Sequence, residues 1–214
     1  MTVSLPALVL VLEYGSALIF ALTGALVASR KQLDPVGFIF MATLTALGGG
    51  TLRDLLLDRE VLVWIARPSL VVMAAVAAMA VFWTAHLLES RYRALLWLDA
   101  LALAVAVPAG VGVALASDVS PVIVVIMGVV TGTFGGLMRD VVGNEVPLLL
   151  KQGEIYVTAA FGGAVAAVFL LWLGLPQATA LLACGVVTLT LRIGGLIRGW
   201  RLPCYRPRPP RTRG

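Results

Sequence analysis

The sequence predicts an all-α integral membrane protein with seven transmembrane helices, arranged as two inverted three-helix repeats and a seventh helix. Three observations support this fold class. The 214 residues are 60% apolar and 13% charged with a mean hydropathy of +1.00, whereas soluble domains are about 45–50% apolar and about 25% charged. Seven apolar stretches are long enough to cross a membrane, and two segments repeat each other in fixed register. These features exclude a soluble enzyme, a secreted disulfide scaffold and a disordered protein.

Each predicted span contains about 20 mostly apolar residues, the length that crosses a hydrocarbon core of roughly 30 Å. The spans cover residues 6–28, 36–57, 69–88, 95–115, 121–142, 155–174 and 177–197. No cation precedes the first span, since Arg30 is the first basic residue, whereas a cleavable signal peptide has a basic N-terminal region. We therefore expect the first span to be retained.

An internal repeat relates the second span to the fifth. The segments that begin at Pro35 and Pro121 align without a gap at an offset of 86 residues, and they share paired glycines and an Arg-Asp dipeptide. Each repeat contains three spans, an odd number, so the two copies must have opposite orientations, as in many transport proteins. The predicted membrane domain covers residues 1–199, with repeat one at 6–88, repeat two at 94–174 and the extra helix at 177–197.

The basic residues predict the orientation of the chain, because cytoplasmic loops carry an excess of Lys and Arg. With the N-terminus outside, the inner loops carry Arg30, Lys31, Arg91, Arg93 and Lys151, and the outer loops carry Arg59 and Arg67. Six of the sixteen basic residues lie between Arg198 and Arg213. The cytoplasmic tail, residues 200–214, is therefore expected to contact anionic lipid headgroups, and nucleic acid is not an expected partner.

A glycine cluster in the second span of each repeat is the first candidate functional feature. The clusters are Gly48, Gly49 and Gly50 in repeat one, and Gly132, Gly135 and Gly136 in repeat two. Each glycine inside a helix costs about 1 kcal/mol relative to alanine, so the clusters predict a kink or an unwound stretch. Freed carbonyls could then face a permeating ion or a small polar solute. Alternatively, the glycines only allow close packing of helices.

An Arg-Asp dipeptide follows each glycine cluster, Arg53-Asp54 in repeat one and Arg139-Asp140 in repeat two. Ionisable groups at membrane depth are costly and usually pair or line a cavity. The inverted repeat suggests pairing across the symmetry axis, with Arg53 meeting Asp140 and Arg139 meeting Asp54. Alternatively, each dipeptide marks the water-exposed end of its helix and neutralises itself.

Glu13 and Asp99 are the predicted intramembrane acids, and they are related by the same 86-residue offset. At about 1.5 Å per residue, each lies roughly 6–12 Å inside the end of its helix. Such carboxylates could attract cations or carry protons, or could only hydrogen-bond a neighbouring helix. Tyr14 and Thr23 could add hydroxyl groups to the same pathway, and Arg192 is expected to extend from the seventh span towards the interface.

The chain offers no nucleophile with a base and an orienting group and no metal-ligand cluster, so we expect neither an enzyme nor a metal or cofactor site. The segments GGGTLRDLLLDRE and TGTFGGLMRDVVGNEVPLLL instead resemble the twin signature of the bacterial TRIC (trimeric intracellular cation) channel family. That family has also been grouped as a glycine-transporter-like membrane domain. The resemblance covers nearly all of the chain to about residue 198.

The resemblance implies seven spans, an N-terminus outside the prokaryotic inner membrane, and a homotrimer with one pore in each protomer. It implies that the kinked second and fifth spans line the pore at Gly48, Gly49, Gly50, Gly135 and Gly136. The implied permeant ions are potassium and also sodium. The resemblance implies no cofactor, and a bound lipid is compatible with the resemblance.

Three residues depart from the family pattern. Phe134 stands where a third glycine of the second signature would match Gly48, so we expect a stiffer or sterically gated kink there. Asp58 and Val61 replace residues that are more often Gly and Pro. The resemblance therefore implies a monovalent-cation channel gated near the glycine kinks. The alternative is a secondary transporter of a small zwitterion such as glycine, because an inverted repeat suits both functions.

Overall fold

The computed structural model describes residues 4–88, 90–151 and 155–203, and its regular secondary structure is helical. Its α-helices are α1 (Leu5–Arg30), α2 (Pro35–Leu56), α3 (Val63–Ala66), α4 (Ser69–Thr84), α5 (Arg91–Ala116), α6 (Pro121–Val142), α7 (Val157–Trp172) and α8 (Gln177–Arg198). Short 3₁₀ turns at Ala85–Leu87 and Leu148–Leu150 extend α4 and precede α7.

The seven long helices confirm the predicted all-α membrane fold. Six of them, α1, α2, α4 with its 3₁₀ turn, α5, α6 and α8, are long and apolar enough to cross a membrane. Helix α7 is equally apolar but shorter, with 16 residues that extend about 24 Å. Helix α3 is a single extra turn in the link between the second and third spans.

The starts of α2 and α6 show how the repeated sequence determines matching local structure. Pro35 and Pro121 occupy the first turn of their helices, where the missing amide hydrogen costs nothing and the fixed φ favours the helix. The Asp34 carboxylate caps α2 by accepting a hydrogen bond from the Gly37 amide at 2.7 Å. Both helices therefore begin at their prolines, within one residue of the predicted starts at 36 and 121.

The links between helices repeat as well. Among the described residues other than glycine, a positive φ of 50° to 55° occurs at Gln32, Asp58, Asp118 and Asn144. These residues form two pairs at the 86-residue offset. Asp and Asn tolerate the left-handed region better than most side chains, but glycine adopts it most easily. Asp58 therefore occupies a position whose backbone suits glycine, the residue that the family resemblance implies there.

The helices of the two repeats pack pairwise around the centre of the molecule. Helix α1 lies along α5, α2 crosses α6, and α8 packs on α5 and α7. Many of the buried side chains between the repeats are small, for example Ala21, Ala25, Ala102 and Ala106. Small residues let membrane helices approach closely and gain dispersion contacts.

The glycine clusters do not unwind their helices. The helical hydrogen-bond pattern continues through Gly48–Gly50 in α2 and through Gly135–Gly136 in α6. Of the two predicted alternatives, the unwound stretch was therefore wrong, and the kink stays a prediction. The physical reason is that the facing helix fills the space left by the missing side chains. The backbone of each helix is therefore held in place and keeps its hydrogen bonds within the helix.

Candidate functional site

The centre of the candidate site is the contact between α2 and α6, called here the glycine crossing. Gly49 faces the carbonyl oxygen of Thr131, and Gly135 faces that of Thr45, so closely that a methyl group at either glycine would overlap the oxygen. The 86-residue offset relates Gly49 to Gly135 and Thr45 to Thr131, so each of the two contacts is the symmetry counterpart of the other. The pseudo-two-fold axis therefore passes between α2 and α6. For this pair of glycines, the close-packing interpretation is correct.

The remaining glycines of the two clusters have other neighbours. Gly48 faces the Met138 sulfur, and Gly132 faces Val107 of α5. Gly50 and Gly136 each face the arginine of their own helix, Arg53 or Arg139. Phe134 is half-buried on α6, and its predicted effect on gating stays a prediction.

A small cavity lies beside the glycine crossing on the side of repeat one. Its volume is about 30 Å³, which is room for about two water molecules. Helices α1, α2, α5 and α6 all contribute to its wall, and the polar part of the wall comes from Glu13, Ser16, Arg53 and Thr131. A cavity whose mostly apolar wall carries four polar side chains thus exists within a single chain.

The repeat-one charge cluster consists of Glu13, Arg53, Asp54 and Arg67. Arg53 donates through Nη2 to Glu13 Oε1 at 3.0 Å and through Nε to Asp54 Oδ1 at 2.8 Å. Arg67, which precedes α4, donates to Glu13 Oε2 at 2.5 Å, and the Val63 amide donates to Asp54 Oδ2 at 2.7 Å. All four carboxylate oxygens are hydrogen-bonded, and Arg53 and Asp54 are fully buried.

The repeat-two charge cluster consists of Thr23, Asp99, Arg139 and Asp140. Arg139 donates through Nη1 to Asp99 Oδ1 at 2.8 Å and to the Thr23 hydroxyl at 3.0 Å. Its Nε donates to Asp140 Oδ1 at 2.8 Å, and the Leu148 amide donates to Asp140 Oδ2 at 2.8 Å. Thr23 is the one member contributed by the other repeat, and the predicted contribution of its hydroxyl to a pathway stays a prediction.

Both arginines pair within their own repeat. The predicted pairing of Arg53 with Asp140 and of Arg139 with Asp54 was wrong. The reason is depth in the membrane. Glu13 and Arg53 lie about equally far from the link that joins the antiparallel helices α1 and α2, so they meet, and the same holds for Asp99 and Arg139. The dipeptides do neutralise themselves in part, but in buried surroundings instead of at a water-exposed helix end.

The two charge clusters lie at opposite ends of the glycine crossing. Each arginine is near the C-terminal end of its helix, and α2 and α6 run in opposite directions across the membrane. Each arginine is bonded to two carboxylates, so neither presents a bare positive charge to a cation. Removing one partner of a buried ion pair typically costs about 3–5 kcal/mol, so both clusters hold their helices firmly in this arrangement.

Three residues near the clusters were not recognised from the sequence. Arg67 was counted only as a loop cation, and Tyr156 was not singled out. Arg192 was expected to extend towards the interface, but it is fully buried with its guanidinium carbon 4.8 Å above the Tyr156 ring, so that expectation was wrong. A basic residue among apolar ones in the seventh span was the available signal for Arg192.

Tyr14, the other residue expected to add a hydroxyl group to the pathway, shares a 2.6 Å hydrogen bond with the Ser69 hydroxyl.

An inverted pair of three-helix repeats, closely packed at glycines and flanked by buried ion pairs, defines a membrane transport protein. A family model described as "Glycine transporter" matches residues 10–86 and 96–172, and these two matches are themselves displaced by 86 residues. The chain belongs to this family, the TRIC family, as its twin signature implied.

Relatives of this chain include inner membrane protein YadS of Escherichia coli (strain K12), which is 38% identical over 192 residues, 87% of this chain and 91% of the relative. A membrane protein of Vibrio cholerae is 37% identical over 198 residues, 90% of this chain and 80% of the relative. These similarities extend over almost the whole membrane domain. The chain is therefore an integral membrane protein, like the proteins it resembles.

Two solved structures show the same fold. The TRIC trimeric intracellular cation channel orthologue from Rhodobacter sphaeroides has 43% sequence identity and a TM-score of 0.87, with 89% of this chain and 98% of that chain covered. A second structure, described for conductance through TRIC cation channels, has 31% identity and a TM-score of 0.83, with 93% and 98% covered. Both neighbours are described as channels, which confirms the prediction that the protein is not an enzyme.

Proposed function

We propose that the protein is a cation channel that assembles as a homotrimer, with one pore in each protomer, and that it conducts potassium and also sodium. The similarity to two solved cation channels supports the channel and the trimer. The description of the family as a glycine transporter fits the alternative of a secondary transporter for a small zwitterion. We do not adopt that alternative, because the solved relatives are described as channels.

The observation that carries the proposal is a set of buried polar groups enclosed by one chain. Glu13 and Arg53 line a cavity beside the glycine crossing, and the buried repeat-two charge cluster lies beyond it. Ionisable groups at membrane depth are costly, and they mark ion or substrate pathways in membrane proteins. A path bounded by α1, α2, α5 and α6 predicts one pore per protomer instead of a shared pore between protomers.

The charge clusters and the glycine crossing together give a mechanism for gating. The structure corresponds to a closed pathway, because α2 and α6 touch at Gly49 and Gly135 and each arginine is held by two carboxylates. Opening separates the two helices at the crossing. Glu13 and Asp99 then face the path as acids that attract cations, as rings of acidic residues do in cation channels.

The orientation that accompanies this function is N-out and C-in, in the inner membrane of a prokaryotic cell. The loop cations support it through the positive-inside rule. Arg30 and Lys31 in one proposed inner loop pair with Glu145 in another, at 3.0 and 3.8 Å. The basic tail would contact anionic headgroups, although its residues 204–214 lie outside the described part of the chain.

Single-channel recording in a planar bilayer under a potassium chloride gradient tests the proposal. We expect discrete current steps that reverse near the potassium equilibrium potential. Reversal at the chloride potential, or silence from protein shown to be folded, would contradict a cation channel. In the second case, counterflow of radiolabelled glycine in liposomes would support the transporter.

The variant Glu13→Gln tests the pathway itself. It leaves Arg53 and Arg67 with one carboxylate fewer, so we expect weaker cation selectivity and a reversal potential closer to zero. Asp118→Asn is the matched control, because it removes the same charge from an exposed link and asparagine tolerates the left-handed backbone there. Equal shifts in both variants would show that Glu13 acts only through the overall charge.

A further inference from the structure

The repeat-two charge cluster and the neighbouring Tyr156 contain three buried polar atoms that the rest of the described chain does not satisfy. They are Asp99 Oδ2, Arg139 Nη2 and the Tyr156 hydroxyl, none of which has a hydrogen-bond partner among the described residues. All three side chains are at least 99% buried. Buried polar groups are nearly always paired, so each of these atoms requires an account. We propose that they bind one buried water molecule.

The three groups converge at Gly136. A methyl group built on this glycine would lie 3.1 Å from the Tyr156 hydroxyl oxygen and 3.5 Å from both Arg139 Nη2 and Asp99 Oδ1. An acid, a guanidinium and a phenol therefore lie together against the face of α6 at Gly136, where no side chain separates them. A methyl group at this position would be in contact with all three groups.

The donors and acceptors at this place match a water molecule. Asp99 Oδ2 accepts, Arg139 Nη2 donates and the Tyr156 hydroxyl can do either. A buried water typically makes about three hydrogen bonds to polar groups that would otherwise be unsatisfied. A metal cation would have to face the N–H donor of Arg139, and an anion would have to face the Asp99 oxygen, so neither fits all three groups.

The charge balance also favours a neutral ligand. The two carboxylates of the cluster, Asp99 and Asp140, are matched by two guanidinium groups. Arg139 bonds to both carboxylates, and Arg192 of α8 lies on the Tyr156 ring and donates to the Ile155 carbonyl at 3.4 Å. Among the described residues around this place the charges balance, so the ligand need supply only hydrogen bonds.

The repeat-one charge cluster solves the same problem with a side chain. Glu13 Oε2, the counterpart of Asp99 Oδ2, accepts from Arg67. The residue 86 positions after Arg67 is Gly153, which has no side chain to offer. Gly50, the counterpart of Gly136, faces a Val63 methyl at 3.2 Å and Arg53 Nη2 at 3.9 Å. One cluster is therefore closed by an arginine and the other by a water molecule.

X-ray radiolytic footprinting of the intact protein tests the inference, because a bound water ionised by the beam releases a hydroxyl radical beside its neighbours. Tyr156 is the reporter, and Phe38, an equally buried aromatic residue in the apolar core, is the dry reference. After correction for intrinsic reactivity, we expect Tyr156 to be oxidised several-fold faster than Phe38. Equal rates in the wild-type protein would overturn the proposal without any variant.

Two symmetry-related substitutions sharpen the test. Gly136→Ala places a methyl group among the three polar atoms, so the oxidation rate of Tyr156 should fall to that of Phe38. Gly50→Ala is the matched control, and it should leave Tyr156 oxidation unchanged. An anomalous peak between Asp99 and Tyr156 in crystals soaked with thallium would show a monovalent cation in place of water and would also overturn the proposal. These readouts do not depend on ion conduction.

Discussion

At the scale of single residues, the glycine crossing shows why identical glycines have different roles. Gly49 and Gly135 allow two backbones to touch, whereas Gly50 and Gly136 each lie close to side chains, including the arginine of their own helix. Gly15 of α1 has neither constraint, since a methyl group there would lie 3.4 Å from a Val105 methyl, an ordinary contact. The effect of replacing a glycine therefore depends on the atom it faces.

Gly49→Ala should destabilise the protein, because the added methyl overlaps the Thr131 carbonyl and overpacking typically costs about 1–3 kcal/mol. Gly15→Ala should instead raise stability by up to about 1 kcal/mol, the difference in helix propensity. Thermal unfolding of the two variants in the same detergent provides the comparison. A Gly49→Ala variant as stable as Gly15→Ala would show that α2 and α6 separate easily at the crossing.

The residues of the candidate site could be found from the sequence, but their partners could not. The 86-residue offset identified the glycines, both Arg-Asp dipeptides and the acids Glu13 and Asp99. Symmetry alone allows an arginine to pair within its repeat or across it, and only the depths of Glu13 and Arg53 in adjacent helices decide between them. Arg192 and Tyr156 were missed because they belong to different spans and meet only through the packing of α8.

At the scale of elements, the link that follows α2 covers the repeat-one charge cluster. The Trp64 indole donates to Thr51 at 3.1 Å, the Val63 amide donates to Asp54, and Arg67 donates to Glu13. These contacts hold helix α3 and its flanking residues against the end of α2. The helices themselves were predictable from hydropathy, but this link was not, because its short helix has no periodic pattern of its own.

Arg67→Gln should increase the time that the channel spends open, because Glu13 loses one of its two arginine partners and the link loses a contact with α1. Arg59→Gln is the matched control. Its side chain is 45% exposed against 41% for Arg67, but it reaches only 4.0 Å from Asp54. Open probabilities from bilayer recordings provide the comparison. Equal increases in both variants would assign the effect to the loss of positive charge at the pore mouth.

At the scale of the whole molecule, the duplication is visible in the backbone as well as in the sequence. The left-handed residues Gln32 and Asp58 recur at Asp118 and Asn144, so the turns between helices were conserved in shape although their side chains differ. The symmetry ends at α8, which has no counterpart and supplies Arg192 to one charge cluster. An add-on helix therefore makes the two ends of the pathway chemically different.

The orientation of the whole molecule is the last prediction. An odd number of spans places the two termini on opposite sides, and the loop cations place the N-terminus outside. In a chain whose own cysteines, Cys184 and Cys204, are replaced, Gln177→Cys should react with a membrane-impermeant maleimide on intact cells, because it is exposed at the proposed outer end of α8, as its first residue. Leu33→Cys, exposed in the first inner link, should react only after the cells are opened. The reverse pattern would invert the molecule and would place the repeat-two charge cluster, with its bound water, at the outer end of the pathway.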